Sequence, residues 1–344
     1  MKANSLEILS LIQLRKRLSR QEIAESISFL ASPATLKRLL QTLQDEGWIT
    51  VEGKGKATTY VSSAKLEVCF PIDLETYFSK EQDDRIVKRN FDFEVFEKLK
   101  QVQVFNKDET FSLNEIREKF QRRSSELAPD EYHKEMERLA IDLSWKSSQI
   151  EGNTYSLLET ELLLKEKRTA SGKTKDEATM LLNHKEAIDF LVSNSDYAEE
   201  ISVRAIEELH AILIRELGIN KNIRRRRVGI TGTNYQPLDN EFQIQEALEK
   251  TCDLVNSAQN GYEKAFLALL LVSYIQPFSD GNKRTARILS NALLLANGLC
   301  PISFRTVDPL DYKKAMLVFY EQTNLSPMKN IFIEQAEFAV ETYF

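Results

Sequence analysis

The chain is 344 residues long, with 42% hydrophobic residues, a formal net charge of −6 and three cysteines. That length and apolar content predict two or three domains with real cores. The N-terminus lacks the apolar stretch of a signal peptide, and no segment is long and apolar enough to span a bilayer. Cys69, Cys252 and Cys300 show no ligand-like spacing, so the reading is of a cytoplasmic protein without membrane contact and without a cysteine metal site.

Charge is unevenly spread. Residues 1–65 hold ten Lys/Arg and six Asp/Glu, a balance of +4, while the remaining 36 basic and 46 acidic residues give −10. A basic module therefore precedes an acidic body. In the module, Leu6, Ile8, Leu9, Leu11 and Ile12 mark a first helix. Ser19 caps a second, with Gln21 and Glu22 in its opening turn and Ile23, Ala24 and Ile27 behind. Ser32-Pro33 is an N-cap with proline at the first helical position, and the third helix carries Leu36, Leu39, Leu40 and Leu43 to Gly47. Trp48 to Val51, the turn Glu52-Gly53-Lys54-Gly55-Lys56, and Ala57 to Val61 read as strand, turn, strand. This order resembles a winged helix-turn-helix over residues 1–65. The resemblance implies a third helix entering a DNA major groove with Thr35, Lys37 and Arg38 leading, and Lys54 and Lys56 of the wing on phosphates. The same elements also serve protein contact or dimerisation, so a homodimer stays open.

Residues 66–132 follow as a connector and a charged helical region. Pro71, the run Lys80 to Arg85 and few aliphatics mark the connector at 66–95. Next comes an amphipathic helix carrying Leu139, Leu143 and Ile150, which closes on Ser147-Ser148-Gln149-Ile150-Glu151-Gly152-Asn153. Ser147 and Glu151 are four apart and share a face, and Gly152 and Asn153 are C-cap residues. A glutamate in the last turn sits at the negative end of the helix dipole, which favours a cation nearby. More helices span 155–220, and His133, His184 and His210 lie in helices as structural or exposed residues. Asn222 to Pro237 contains four consecutive arginines, then Val228 and Ile230 alternating as in a strand, then turn chemistry at Gly232 to Asn234.

The densest segment is Gln276-Pro277-Phe278-Ser279-Asp280-Gly281-Asn282-Lys283-Arg284-Thr285-Ala286-Arg287. It follows a buried-type apolar run, Ala265 to Ile275, and precedes a helix that ends at Asn297-Gly298. Pro277 cannot continue a helix, and Asp280-Gly281-Asn282 suits a loop. Lys283, Arg284 and Arg287 crowd the start of the next helix, where cations oppose the dipole unless an anion is present. After Pro301 the chain reads as helical to Phe344.

This twelve-residue segment resembles the signature of the Fic family, with Gln276 where the family has a histidine. The resemblance implies a mainly α fold: a helical Fic bundle with a small β-hairpin flap, preceded by the winged-helix domain. It places the Fic domain at 133–300, its inhibitory helix near 135–152, and a C-terminal helical extension at 301–344. It implies ATP and Mg2+ as ligands, with Asp280 on the metal, Gly281, Asn282 and Lys283 as the anion hole, and Arg284 and Arg287 on the outer phosphates. Phe278 falls in the same nucleotide-binding set. Lys283, where most members carry glycine, is the form of the Doc branch, in which the donor phosphate can be oriented differently. Ile230, Thr231, Gly232 and Thr233 fall on the flap that aligns a target protein's Ser, Thr or Tyr hydroxyl. Ser147, Glu151 and Gly152 fall on the inhibitory motif, whose glutamate pairs with the second motif arginine, here Arg287. The implied activity is transfer of AMP to a protein.

Gln276 bears on the chemistry directly, because an amide does not accept a proton at neutral pH. Three readings follow: an adenylyltransferase-like enzyme that works slowly or with another donor geometry; a pseudoenzyme that senses a nucleotide and regulates transcription through its DNA-binding module; or an introduced substitution in an ordinary enzyme.

Overall fold

The computed structural model describes residues 2–344, and the side chain of Lys56 lies outside what it describes. At the N-terminal end are α1 (Ala3–Arg15), β1 (Arg17–Ser19), α2 (Arg20–Ser26), α3 (Pro33–Asp45), β2 (Ile49–Glu52) and β3 (Thr59–Ser62). α2 starts where it does because Ser19 and Glu22 cap each other: Glu22 N–H donates to Ser19 Oγ at 3.3 Å and Ser19 N–H to the Glu22 carboxylate at 2.7 Å. Ser32 does the same service for α3, accepting from Thr35 N–H, with Pro33 in the first turn. The strands form one antiparallel sheet in the order β1-β3-β2, with Leu18 and Val51 both opposite Tyr60. Gly53 is required between β2 and β3: its φ is +80°, and a Cβ there would lie 2.2 Å from the Ala57 carbonyl oxygen. Ile8, Leu9, Ile12, Ile23, Leu36, Leu40 and Ile49 fill the core of this unit.

α4 (Ala64–Cys69) joins the unit to the body, its Leu66 packed in the first core and its Val68 in the second. The body continues with α5 (Leu74–Phe78), α6 (Glu94–Lys100), α7 (Lys107–Glu126), α8 (Pro129–Ile150), α9 (Leu157–Glu166), α10 (Lys175–Ser193) and α11 (Val203–Leu213). It closes with α12 (Glu241–Ser257), α13 (Gly261–Ile275), α14 (Asn282–Ala296), α15 (Pro309–Gln322) and α16 (Ser326–Tyr343). α13 is the central helix. Every residue from Ala265 to Ile275 is buried, as a sequence that is apolar but for Ser273 and the Tyr274 hydroxyl favours. No helix among the described residues is long and apolar enough to cross a membrane.

One expectation is corrected. The segment expected as a β-hairpin flap, with Ile230, Thr231, Gly232 and Thr233, contains no paired strands; the sheet of the described residues lies in the N-terminal unit. Its two arms are drawn to different partners. Arg224 N–H donates to the Pro277 carbonyl at 3.0 Å, Gln236 N–H to the Arg89 carbonyl at 2.7 Å, and the Tyr235 hydroxyl to the Tyr274 carbonyl at 2.9 Å. Arms pulled apart in this way cannot ladder with each other, and only the bend at Thr231-Gly232 remains of the hairpin. The connector at 66–95 is tied to the body: Phe91 stacks on Tyr274 at 4.5 Å, and Arg85 forms an ion pair with the fully buried Glu321. The C-terminal helices of 301–344 join the same core as α13, with Tyr312, Tyr320 and Phe332 wholly buried.

Candidate active site

The site grows from the turn between α13 and α14. Gln276 ends α13 in the left-handed region, φ +51°, its N–H still bonded to the Val272 carbonyl at 3.2 Å. Asn282 then ties the turn. Its Oδ1 accepts from Phe278 N–H at 2.7 Å, and its Nδ2 donates to the Phe278 carbonyl at 2.9 Å and to Gln276 Oε1 at 3.1 Å. Arg224 braces it from behind, donating to the Gln276 carbonyl at 2.6 Å, a cation at the negative end of α13. Gly281, φ +78°, lets α14 start close over His210; a Cβ there would meet the imidazole at 3.2 Å.

Phe278, expected in the nucleotide-binding set, does not line the cleft. It is fully buried, with its ring stacked on His210 at 3.7 Å, and anchors the turn from beneath. His210 Nδ1 is 3.2 Å from Thr285 Oγ1, and burial lowers its pKa to about 4, so the imidazole is neutral. Gln276 is buried as well, and both ends of its amide are bonded: Nε2 donates to the Ser273 carbonyl at 2.7 Å while Oε1 takes the Asn282 bond.

α14 begins without a side-chain cap, because its N-cap residue is Gly281. Its first turn therefore offers backbone N–H groups for an anion. Arg284 and Arg287 are 2% and 0% exposed, and among the described residues one nitrogen of each, Nη1, has no partner. The ion-pair partner of Arg284 among those residues is Asp280 Oδ2, at 3.8 Å. Arg287 is held on three sides: Nε donates to Ser147 Oγ at 2.7 Å, and Nη2 to the Ser147 carbonyl at 2.9 Å and to Glu151 Oε1 at 2.8 Å. The Tyr312 ring lies 5.3 Å from its guanidinium.

Glu151 follows the last turn of α8, and Gly152, φ +98°, ends the helix there. Its second oxygen is 3.5 Å from Lys283 Nζ. Burial pushes its carboxyl up, but the charges of Arg287 and Lys283 outweigh that and hold it below the usual carboxylate range. Ser147 is shared with His184, whose Nε2 is 2.7 Å from Ser147 Oγ. Burial and then Arg287 hold His184 far below the ordinary imidazole value, so it is neutral.

These elements enclose a cleft of about 370 Å³. Glu151, Gln276, Asp280, Gly281, Asn282 and Lys283 line one side; Ile230 and Thr231 lie across it; Tyr312, Met316 and Tyr320 of α15 form the back. Asp280, the carboxylate expected to hold a metal, lines the cleft with its side chain 69% exposed. No group of three or more acidic, histidine or cysteine side chains is assembled for a metal among the described residues. A single carboxylate completed by phosphate oxygens and water is, however, an ordinary magnesium set. Of the remaining flap residues, Gly232 is exposed and Thr233 is buried, its hydroxyl bonded by Tyr235 N–H.

Residues 200–294 match the Fic/DOC family. The chain contains a Fic/DOC domain. A protein adenylyltransferase Fic of Nematostella vectensis is 30% identical over 177 residues, 49% of this chain and 40% of that protein. Protein adenylyltransferase fic-1 of Caenorhabditis elegans is 27% identical over 203 residues, 56% and 39% of the two chains. This chain thus spans about 40% of the length of these curated relatives. Among solved structures, Fic-1 of C. elegans superposes with a TM-score of 0.60 at 22% identity, covering 68% of this chain and 71% of that one. A Fic domain containing signaling protein of Bacteroides thetaiotaomicron gives 0.56 at 20% identity, covering 67% and 93%. These structures share the fold.

Within the Fic domain and around it, the sequence reading missed four residues: Arg224, His184, Tyr312 and Tyr320. Tyr312, Met316 and Tyr320 recur at every fourth position, a one-face helical signal that was there to be read. His184 and Arg224 carry no local signal. At the far end of the molecule, Lys37, Arg38 and Lys54 are exposed, while Thr35 is half-buried with its hydroxyl 2.9 Å from Ser32 Oγ. The wing residue Lys56 lies outside the described side chains.

Proposed function

We propose that the cleft binds Mg-ATP and that the chain is a Fic-type adenylyltransferase-like protein, transferring AMP to a Ser, Thr or Tyr hydroxyl of a target protein, restrained by Glu151 and slowed by Gln276. The observation that carries this is the pair Arg284 and Arg287: two buried cations in the opening turns of α14, each with an unpartnered Nη1, and one capped by an internal carboxylate. A buried guanidinium without an anion costs several kcal/mol, so the site is built for negative charge, and Glu151 supplies one of the charges from within. The names of the related proteins support AMP as the transferred group.

In the proposed reaction the target hydroxyl oxygen bonds to the α-phosphorus, the bond to the bridging oxygen of the β-phosphate breaks, and pyrophosphate leaves with that electron pair. The uncapped first turn of α14 would hold the phosphates, Arg284 and Arg287 the outer ones. Asp280 would carry the magnesium ion, which when bound neutralises phosphate charge. Ile230 to Thr233 would hold the target. Ile230 and Thr231 pair with no strand among the described residues, which would leave their backbone available to an extended peptide. The hydroxyl proton, which Gln276 cannot take up because its amide is bonded to Ser273 and Asn282, would pass to water. Acid–base help of that kind is worth roughly 10²–10⁴ in rate, and phosphoryl chemistry leans mainly on positioning and charge.

The committed amide of Gln276 favours a second reading, in which nucleotide occupancy itself is the output. Residues 1–65 would then be a winged-helix module on DNA, with exposed Lys37, Arg38 and Lys54 on phosphates. The deciding experiment is transfer of labelled AMP to protein by a Gln276→His/Glu151→Gly variant. Transfer well above the Glu151→Gly single variant supports the enzyme; silence with intact ATP binding supports the sensor.

A further inference from the structure

We infer that Arg85 is a positioning residue for the wall of the cleft formed by residues 228–231. Its guanidinium sits in a niche of its own. Nε and Nη2 donate to the two oxygens of Glu321 at 3.1 and 2.9 Å, and Nη2 also donates to the Gly232 carbonyl at 2.5 Å. The Arg85 side chain is 6% exposed and that of Glu321 0%, so neither group has water to turn to. Tyr77 donates its hydroxyl to the same carboxylate at 2.7 Å, and the Phe78 ring lies 4.8 Å below the guanidinium. A planar fork gripped at two nitrogens by a buried carboxylate has a fixed orientation. The oxygen it meets on its other side belongs to Gly232, at the bend of the flap, with φ +88°. Ile230 and Thr231, just before that bend, line the cleft.

The same strap of chain grips the flap again beyond the bend. Gln82 Nε2 donates to Asn234 Oδ1 at 2.8 Å, Asn234 Nδ2 to Asp83 Oδ1 at 2.8 Å, and Gln236 N–H to the Arg89 carbonyl. It grips the back wall too, since Lys88 N–H donates to the Glu321 carbonyl at 2.8 Å and Tyr320, the preceding residue, lines the cleft. Among the described residues the flap has no strand pairing, so its place over the cleft is set by these bonds together with those of Arg224 and Tyr235, and Arg85 joins bend, strap and back wall.

The inference rests on the proposed function only in taking this wall as the one that faces a target; the primary readout is independent of it. Amide hydrogen exchange is measured on the full chain, wild type against Arg85→Met/Glu321→Gln, which removes both charges together and leaves no buried ion unpaired. Expected is exchange at least tenfold faster in peptides from 226 to 236 and unchanged in α13 and α14. Asn234→Ala, which cuts the strap from the flap side without touching a buried charge, is the second variant and is expected to act in the same peptides if the double variant fails to fold. In the Gln276→His/Glu151→Gly background, loss of Arg85 is expected to raise KM for the protein substrate while Mg-ATP affinity holds. Flap exchange equal to wild type in a folded variant overturns the inference. Failure of the Glu151→Gly protein to bind Mg-ATP would instead remove the proposed function and leave the exchange result standing.

Discussion

Replacing Glu151 with glycine tests the internal anion directly. Glu151 Oε1 is 2.8 Å from Arg287 Nη2, with Lys283 3.5 Å from the other oxygen, and Arg287 is wholly buried. A shielded, charge-assisted bond of this kind is worth roughly 1.5–3 kcal/mol. A phosphate that must displace it loses that much, so the wild type should bind Mg-ATP about ten- to 150-fold more weakly than Glu151→Gly. The same structure sets an opposite effect on the empty protein. Without Glu151, Arg287 keeps its two bonds to Ser147 but loses its one ion pair, so the variant should unfold about 1–3 kcal/mol more easily and regain the deficit with ATP. Calorimetric titration with Mg-ATP and denaturant melts with and without nucleotide measure both. Adding Arg287→Ala should abolish the affinity gain. Equal ATP affinity in wild type and Glu151→Gly would reduce Glu151 to a helix end and refute the reasoning.

Three further outcomes are expected. His184 and His210 are held neutral, with folded pKa values below the ordinary imidazole value. The unfolded chain therefore binds more protons below about pH 6.5, and each histidine should cost about 1 kcal/mol of stability between pH 7 and 5.5, where carboxylates barely titrate; urea midpoints that stay flat across that window would contradict it. Gly281→Ala should destabilise by about 1–3 kcal/mol from its positive φ and its 3.2 Å approach to His210, measured by chemical denaturation. If the N-terminal unit binds DNA, Lys37→Ala/Arg38→Ala should flatten the slope of log affinity against log salt by about 1.8, and a slope that does not move would take these residues off the phosphates.

What the sequence revealed follows from the range of its signals. The caps at Ser19 and Ser32 were legible because a capping bond joins residues three apart. α13 was legible because eleven consecutive buried positions need eleven suitable residues. The site's arginines and Glu151 were legible as poorly placed charges, each on the wrong end of its helix until the two meet. The hairpin expectation failed because alternation at Val228 and Ile230 says nothing about partners, and Arg224 and Tyr235 bind elsewhere. The contacts of the connector were not legible because they are polar and distant: Arg85 reaches Glu321 across 236 residues, and a charged run reads as a solvated one until the far partner is known. His184 escaped for the same reason, being buried beneath Ser147 by tertiary packing alone.

Gln276 and Glu151 should act on separate steps, and a double-mutant cycle can show it. Gln276 is turned into the loop, bonded to Ser273 and Asn282, and its replacement by histidine bears on the fate of the hydroxyl proton. Glu151 lies on Arg287 and bears on whether the outer phosphates are seated. At subsaturating ATP, Glu151→Gly alone should raise the AMP-transfer rate about ten- to 150-fold through occupancy. Gln276→His alone should raise it by roughly 10²–10⁴ through proton transfer. If the steps are independent, the two gains multiply in the double variant, and at saturating ATP the Glu151 effect disappears while the Gln276 effect remains. A Glu151→Gly change that cancels the benefit of Gln276→His would place the carboxylate in the chemistry itself. A histidine without effect in either background would mean that the proton is not the obstacle, leaving nucleotide occupancy as what this cleft is built to control.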